Sequence, residues 1–295
     1  MAYKRKPPKT SQTVSELRVL TLSPRKDEAT KPRELIQVTG HQTLTLAARR
    51  AITILWHNAH RQGIEESKRY TIELAELRPN NSRDNGPIEE AILQLMKTII
   101  SVTGDNGSVK RVQFLGGNNM DDAKRPHGVL TYVFDPYLVE ILQDSKIWGK
   151  ISLPVLMAFS SKYTISLYEN VAQWIGLNNK KSATFTIDEL RNLLGVEPNK
   201  YSLFGDLNKN VLTVAVAEIN AMAPFNMSAL IIKTGRKVTH VRVYWSNKTI
   251  EEHKAAWAEI GKTKLGRKIR IAKQAEYVIG PAAGLAYLTH ENGSD

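Results

Sequence analysis

Residues 161–220, SKYTISLYENVAQWIGLNNKKSATFTIDELRNLLGVEPNKYSLFGDLNKNVLTVAVAEIN, decide the fold. Leu167, Tyr168, Val171, Trp174 and Ile175 recur at steps of three and four, which puts them on one face of a helix that Gly176 stops. Thr186 and Glu189 form a capping box, in which each side chain satisfies a backbone amide left without a partner at a helix start. Ile187, Leu190, Leu193 and Leu194 follow as the apolar stripe, and Gly195 ends this short helix. A turn through Pro198 and Asn199 leads into a longer helix from about Ser202, with Phe204, Leu207, Val211, Ala215, Ile219 and Met222 at helical spacing. Short helix, turn, longer helix is the helix-turn-helix order. Beyond it, Ala229 to Lys233 and Val238 to Trp245 read as strands joined at Thr234 and Gly235. In the second strand Val241, Val243 and Trp245 alternate with His240, Arg242 and Tyr244. The hairpin makes the unit a winged helix, a fold used mostly to grip DNA.

The whole chain supports that direction. Its 295 residues are 42% hydrophobic, enough for the cores of one large or two ordinary domains. A formal charge of +12 and a pI near 9.7 call for an acidic partner, either nucleic acid or a membrane surface. No apolar run approaches the roughly 20 residues that a membrane span requires, and the N-terminus lacks the apolar stretch of a secretory signal. The expectation is a cytoplasmic protein that binds double-stranded DNA and no membrane. Having no cysteine excludes disulfides, thiolate metal sites and cysteine nucleophiles.

Four segments follow from composition and pattern. Residues 1–33 read as a mobile basic arm, with Lys4, Arg5, Lys6 and Lys9 as its cations. Residues 34–145 repeat the order of elements described above. A helix is expected from Thr43 to about His60, a strand from Tyr70 to Leu74, and a helix opened by Pro87 with Ile88, Ile92, Leu95, Met96 and Ile99 at helical spacing. Strands Val109 to Leu115 and Val129 to Phe134 then flank a polar Gly, Asn and Asp loop. Residues 146–248 form the second winged helix. Residues 249–295 begin with a capping box, Thr249 and Glu252, on a helix to about Ile260, and continue as a basic tail carrying Lys262, Lys264, Arg267, Lys268, Arg270 and Lys273. The fold class is therefore α+β, two tandem winged-helix domains with a flexible basic N-terminal arm and a C-terminal tail.

Electrostatics separate the two halves. Glu89 and Glu90 stand on the first turn of the upstream helix, where they suit the helix dipole but oppose phosphate. The downstream helix begins near Lys200, Tyr201 and Ser202 and turns Asn208, Lys209, Asn210 and Thr213 away from its apolar stripe. Lysine reaches guanine or phosphate, and asparagine pairs with adenine, so these are the candidate base-reading residues. Lys233, Arg236 and Lys237 at the wing tip are candidates for phosphate. The first half is left with phosphate clamping and self-association.

The enzymatic alternative is a DNA-nicking protein with a metal and a tyrosine nucleophile, which needs paired histidines to hold the cation. His57 and His60 are the close pair, and they read as a solvated helix end. Asp121 and Asp122 fall in a turn-forming loop. Gly116 and Gly117 precede asparagines rather than the lysine and hydroxyl residue of a phosphate-binding loop. No catalytic residue, metal or cofactor is implied, and Tyr163, Tyr168 and Trp174 read as core.

The order of these residues resembles the iteron-binding plasmid replication initiators, the Rep proteins of theta-replicating bacterial plasmids. The likeness is carried by Ser161, Lys162 and Tyr163 with Leu167, Tyr168 and Glu169, and by Thr186 to Leu190 with Leu193, Leu194 and Gly195. Lys200, Tyr201 and Phe204 continue it, and Val211, Leu212, Ala215, Glu218, Ile219 and Asn220 complete it. The resemblance implies a monomer that binds directly repeated origin sites and a homodimer joined through the first domain. It further implies opening of an AT-rich stretch, recruitment of the host initiator and replicative helicase, and repression of the protein's own gene. Where many members carry more basic residues before the Val and Leu of the reading helix, this chain has Asn208, Lys209 and Asn210, so base preference does not transfer. A winged-helix transcriptional repressor or copy-control regulator is the alternative within binding proteins.

Overall fold

A computed structural model describes residues 24–79, 84–103, 107–121, 128–143, 145–175 and 180–275. Thr45 caps the first long helix by accepting a hydrogen bond from Ala48 N at 3.2 Å. The helix therefore starts after Thr45 rather than at Thr43. Two short elements precede it, strand β1 (Glu28–Pro32) and helix α1 (Arg33–Ile36), so the long helix is α2 (Leu46–Gln62). Strand β2 (Tyr70–Glu73), helices α3 (Leu74–Leu77) and α4 (Gly86–Lys97), and hairpin β3 (Ile99–Thr103) with β4 (Val109–Gln113) come next. Strands β5 (Leu115–Met120) and β6 (Val129–Phe134) and helix α5 (Pro136–Gln143) complete the first half. Its main sheet has the antiparallel order β2-β6-β5.

The polar Gly and Asn run expected as a loop is thus an edge strand. The ladder to β6 pairs Asn118 with Tyr132 and Asn119 with Thr131. The register shifts between Leu115 and Asn118, where Gly116 and Gly117 absorb the irregularity. Asp121 closes the strand, and Asp122 lies outside the described residues. The buried side chains of α2, α4 and the sheet, among them Trp56, Ile92, Leu95, Tyr132 and Phe134, form one core.

The second half holds strand β7 (Trp148–Ser152), helices α6 (Leu153–Ala158) and α7 (Lys162–Ile175), strand β8 (Ser182–Thr186) and helix α8 (Ile187–Leu194). A long helical segment follows as α9 (Phe204–Leu207), a π-turn (Asn208–Leu212) and α10 (Thr213–Met222). Strands β9 (Phe225–Thr234) and β10 (Lys237–Asn247) make the wing. Its sheet order, β8-β10-β9, places the three strands as β2-β6-β5 places theirs. Strand β8 carries no strong alternation in its sequence and forms because β10 offers it a ladder from Tyr244 to His240. Tyr163, Tyr168 and Trp174 are core, as expected: Tyr168 stacks on Phe225 at 5.7 Å, and Trp174 lies between Phe185 at 5.8 Å and Trp245 at 5.3 Å. Gly176 lies outside the described residues.

Three expectations are corrected, two of them where the halves meet. Glu28–Pro32, assigned by composition to a mobile arm, is strand β1, paired antiparallel with β7 and burying Ala29. Its Lys31 is buried too, with Nζ donating to Glu169 Oε1 of α7 at 2.7 Å and to Thr53 Oγ1 of α2 at 2.9 Å. The arm cations Lys4, Arg5, Lys6 and Lys9 lie outside the described residues. Second, His57 and His60 are not solvated but 4% and 5% exposed, because β1 and its lead-in pack on α2: His57 Nε2 bonds Lys26 O at 3.0 Å, and the His60 ring sits 5.8 Å from that of Trp56. Third, the basic run after residue 261 folds as α12 (Lys264–Ala275), behind helix α11 (Ile250–Gly261) that starts in its expected capping box. Arg267 donates to the carbonyls of Ala158, Glu259, Ile260 and Lys262, and Arg270 pairs with Glu259 at 2.5 Å, while Ile271 joins the second core.

Candidate nucleic-acid interface

Helix α8 is set by its capping box, with Glu189 N donating to Thr186 Oγ1 at 3.2 Å and Thr186 N to Glu189 Oε2 at 2.8 Å. The Thr186 amide and the Thr186 hydroxyl, the latter at 3.0 Å, both donate to Glu189 Oε2 and hold the Glu189 carboxyl below the usual carboxylate range. Gly195, at φ +68°, ends the helix in the left-handed region. The turn beyond is stapled by a residue that sequence reading passed over. Arg191 Nη1 donates to Tyr201 O at 2.7 Å, while Nη2 reaches Lys200 O at 2.7 Å, Glu197 O at 3.2 Å and Pro198 O at 3.3 Å. One planar guanidinium serves four carbonyls that lack helical partners. In sequence Arg191 shows only as a basic residue in a last helical turn; its acceptors are brought to it by the turn itself.

Lys200 and Ser202 stand on this turn. Lys200 Nζ pairs with Glu197 Oε1 at 2.9 Å, and Lys162 Nζ lies 3.2 Å from the same oxygen while donating to Gln42 O at 2.7 Å. Hydrogen bonds from Lys200 and Lys162 hold the Glu197 carboxyl below its ordinary range, and Glu197 holds Lys200 above its own. A phosphate contact by Lys200 must displace a carboxylate, so it gains less than an unpaired lysine does. Ser202 is exposed but precedes the helix, whose first residue is Phe204 because Leu203 is extended at φ −84°, ψ 138°.

The helix beyond the turn is continuous from Phe204 to Met222 but widens at its head, where Thr213 N donates to Asn208 O across a π-turn. The structure sorts the four candidates there. Lys209 and Asn210 are exposed, and Asn208 and Thr213 are half-buried. Asn210 Nδ2 donates to Asp206 O at 3.0 Å, and the Asn208 Oδ1 is buried without a partner among the described residues. Lys209 remains as an exposed cation, the ion pairs among the described residues being made by other groups.

The wing is fixed to this helix by Asn220, whose Nδ2 donates to Met227 O at 2.8 Å and whose Oδ1 accepts from Met227 N at 2.7 Å. Lys248 Nζ closes the helix end on Asn220 O at 2.5 Å and Ala223 O at 2.8 Å, and burial pulls its pKa down to about 8. Glu218 accepts from Ser160 N at 2.9 Å and Thr164 Oγ1 at 2.6 Å, tying α10 to the start of α7. At the wing tip Thr234 pairs with Lys237 across Gly235 and Arg236, one residue later than expected, with Gly235 at φ +61°. Lys233, Arg236 and Lys237 are all exposed there. In the first half, Glu89 and Glu90 are exposed on α4 as anticipated. Among the described residues no group of three or more His, Asp or Glu is placed to hold a metal ion, and no helix is long and apolar enough to cross a membrane.

Two helix-turn-helix units in tandem, each closed by a hairpin whose second strand is central, define a tandem winged-helix DNA-binding protein. A family model described as "Initiator Replication protein, WH1" matches residues 28–172, and one described as "Initiator Rep protein, WH2" matches residues 186–245. The chain belongs to the initiator Rep protein family and is a plasmid replication initiator that binds DNA at the origin. No curated protein matches it.

Proposed function

We propose that the protein binds directly repeated origin sites in duplex DNA through its second winged helix, opens the adjacent DNA and recruits the host initiator and helicase in the bacterial cytoplasm, without catalysing covalent chemistry. The observation that carries this reading is the placement of Lys209 at the exposed head of the reading helix with Lys233, Arg236 and Lys237 exposed on the wing that follows it. A lysine on a recognition helix reaches guanine edges or phosphate, and wing cations hold the flanking backbone. Lys200, Ser202, Asn208, Asn210 and Thr213 surround that head, with the reduced availability described above.

The first half is assigned to dimerisation and phosphate contact. The β3–β4 hairpin exposes Ile99 (59%) and Val109 (49%), apolar side chains suited to a second copy. The acidic first turn of α4 makes base reading there unfavourable.

A plasmid carrying only this gene and its flanking DNA tests the whole reading. Autonomous replication, with protection of direct repeats in a footprint, is expected. Lys209→Ala should cost about 1 to 3 kcal/mol on the cognate repeat and relax its base preference. Repeat binding without replication would instead favour a repressor, and a protein-linked nick in the presence of magnesium would restore the nuclease.

A further inference from the structure

We infer that the π-turn at Asn208–Leu212 determines the base specificity of the reading helix, and that Asn210 is the residue that positions it rather than one that touches a base. This rests on the second winged helix reading DNA. Within the helix, Thr213 N bonds the carbonyl five residues back instead of four. The turn therefore holds one residue more than an α-helical turn, and a residue of α-helix is worth about 100° of rotation. Whatever the head of the helix presents to a groove depends on whether that residue is accommodated. π-Turns are rare and concentrate at functional sites, since they weaken the helix that contains them.

Three observations place the cost and its compensation at this head. Asn208 Oδ1 is buried with no partner among the described residues, a loss that a well-formed helix avoids. Asn210 Nδ2 donates to Asp206 O at 3.0 Å, adding a side-chain bond to the backbone just where the α-helical ladder is interrupted. Both Val211 and Leu212 remain fully buried in the second core, so the extra residue is absorbed on the solvent side, where Lys209 and Asn210 project. A side chain already bonded to its own helix is poorly placed to pair with adenine, whereas the same bond keeps Lys209 at a defined angle.

Asn210→Ala, Asn210→Asp and a deletion of Asn210 separate the two roles. In the DNA-free protein, amide exchange at residues 210–213 is expected to quicken about tenfold in Asn210→Ala, the loss of one ordinary hydrogen bond. Asn210→Asp, which keeps the shape but not the donor, should behave likewise. Against duplexes with every single-base substitution of the repeat, both variants should lose discrimination at several adjacent positions; Asn210→Ala, which adds no charge, should keep binding to unrelated duplex within about twofold of the parent, whereas the carboxylate of Asn210→Asp should weaken it uniformly. The deletion, which closes the turn to α-helical length, should abolish discrimination while unfolding cooperatively near the parent temperature. Loss at one base pair only, with exchange unchanged, would make Asn210 a direct reader and overturn the inference. So would an unchanged base profile. If the parent selects no repeat at all, the DNA-reading assignment fails instead, and unchanged exchange in the free protein would still refute the positioning role.

Discussion

The buried Lys31–Glu169 pair offers the sharpest test of how the two halves are held together. Nζ and Oε1 are 2.7 Å apart with side chains 3% and 8% exposed, and Thr53 bonds both from α2. Glu169→Gln removes the anion and leaves an ammonium among α2, α7 and β1 with a hydroxyl and an amide as company. At an effective dielectric of about 20 the lost attraction is about 6 kcal/mol, and measured cases of one-sided removal run at about 3 to 5 kcal/mol. The latter range is expected here, because some water will enter. Spread over a chain of this size it lowers the melting temperature by roughly 6 to 20 °C. Burial pushes the Lys31 pKa below the ordinary lysine range against the pull of Glu169, which the substitution removes. A lysine with a depressed folded pKa binds fewer protons than its unfolded counterpart, so stability rises with pH toward the ordinary lysine value. The deficit of Glu169→Gln should accordingly narrow as the pH is raised from 7 to about 10. Lys31→Met with Glu169→Leu removes both charges and should recover most of the loss. Urea unfolding of the parent, Lys31→Met, Glu169→Leu and the double variant gives the coupling. If the single variants cost under about 1 kcal/mol, or if their costs simply add in the double, the pair does not hold β1 between the halves and the reasoning fails.

Three further outcomes are expected. His41, whose pKa burial and the neighbouring Arg49 pull down to about 3, stays neutral in the folded protein. Stability should therefore be complete above about pH 6.5, fall by a few kcal/mol as the pH drops toward 3, and fall less steeply in His41→Asn; identical pH profiles in denaturant melts would count against it. Gly195→Ala should cost about 1 to 3 kcal/mol, from left-handed strain and from a methyl group 2.8 Å from His41 Nε2, whereas Gly261→Ala, with nothing within 4 Å, should not destabilise. Replacing Arg236 and Lys237 by alanine should weaken all duplexes alike and reduce the slope of log affinity against log salt by about 1.8, so a sequence-selective loss would contradict a phosphate role.

Much of the fold was legible because its signals are local. Capping boxes at Thr186 and Thr249, the stripe on α7 and the alternation of β10 each depend on residues within a turn or two of one another. Strands β1, β5 and β8 were not legible, since each is short and owes its ladder to a partner elsewhere; β1 meets β7 across more than a hundred residues. Helix α12 was missed for a related reason. Its run of cations reads as a solvated tail until the end of α11 and Ala158 present carbonyls to Arg267.

The candidate interface divides in the same way. Charge, helix order and wing position are properties of the sequence, and with them came the expectation of a tandem winged helix on DNA. Which of Asn208, Lys209 and Asn210 faces solvent uncommitted was decided only by the tertiary structure. Packing of Val211 and Leu212 into the core forces the extra residue outward as a π-turn, and that turn engages Asn210, buries the Asn208 carboxamide oxygen and leaves Lys209 exposed.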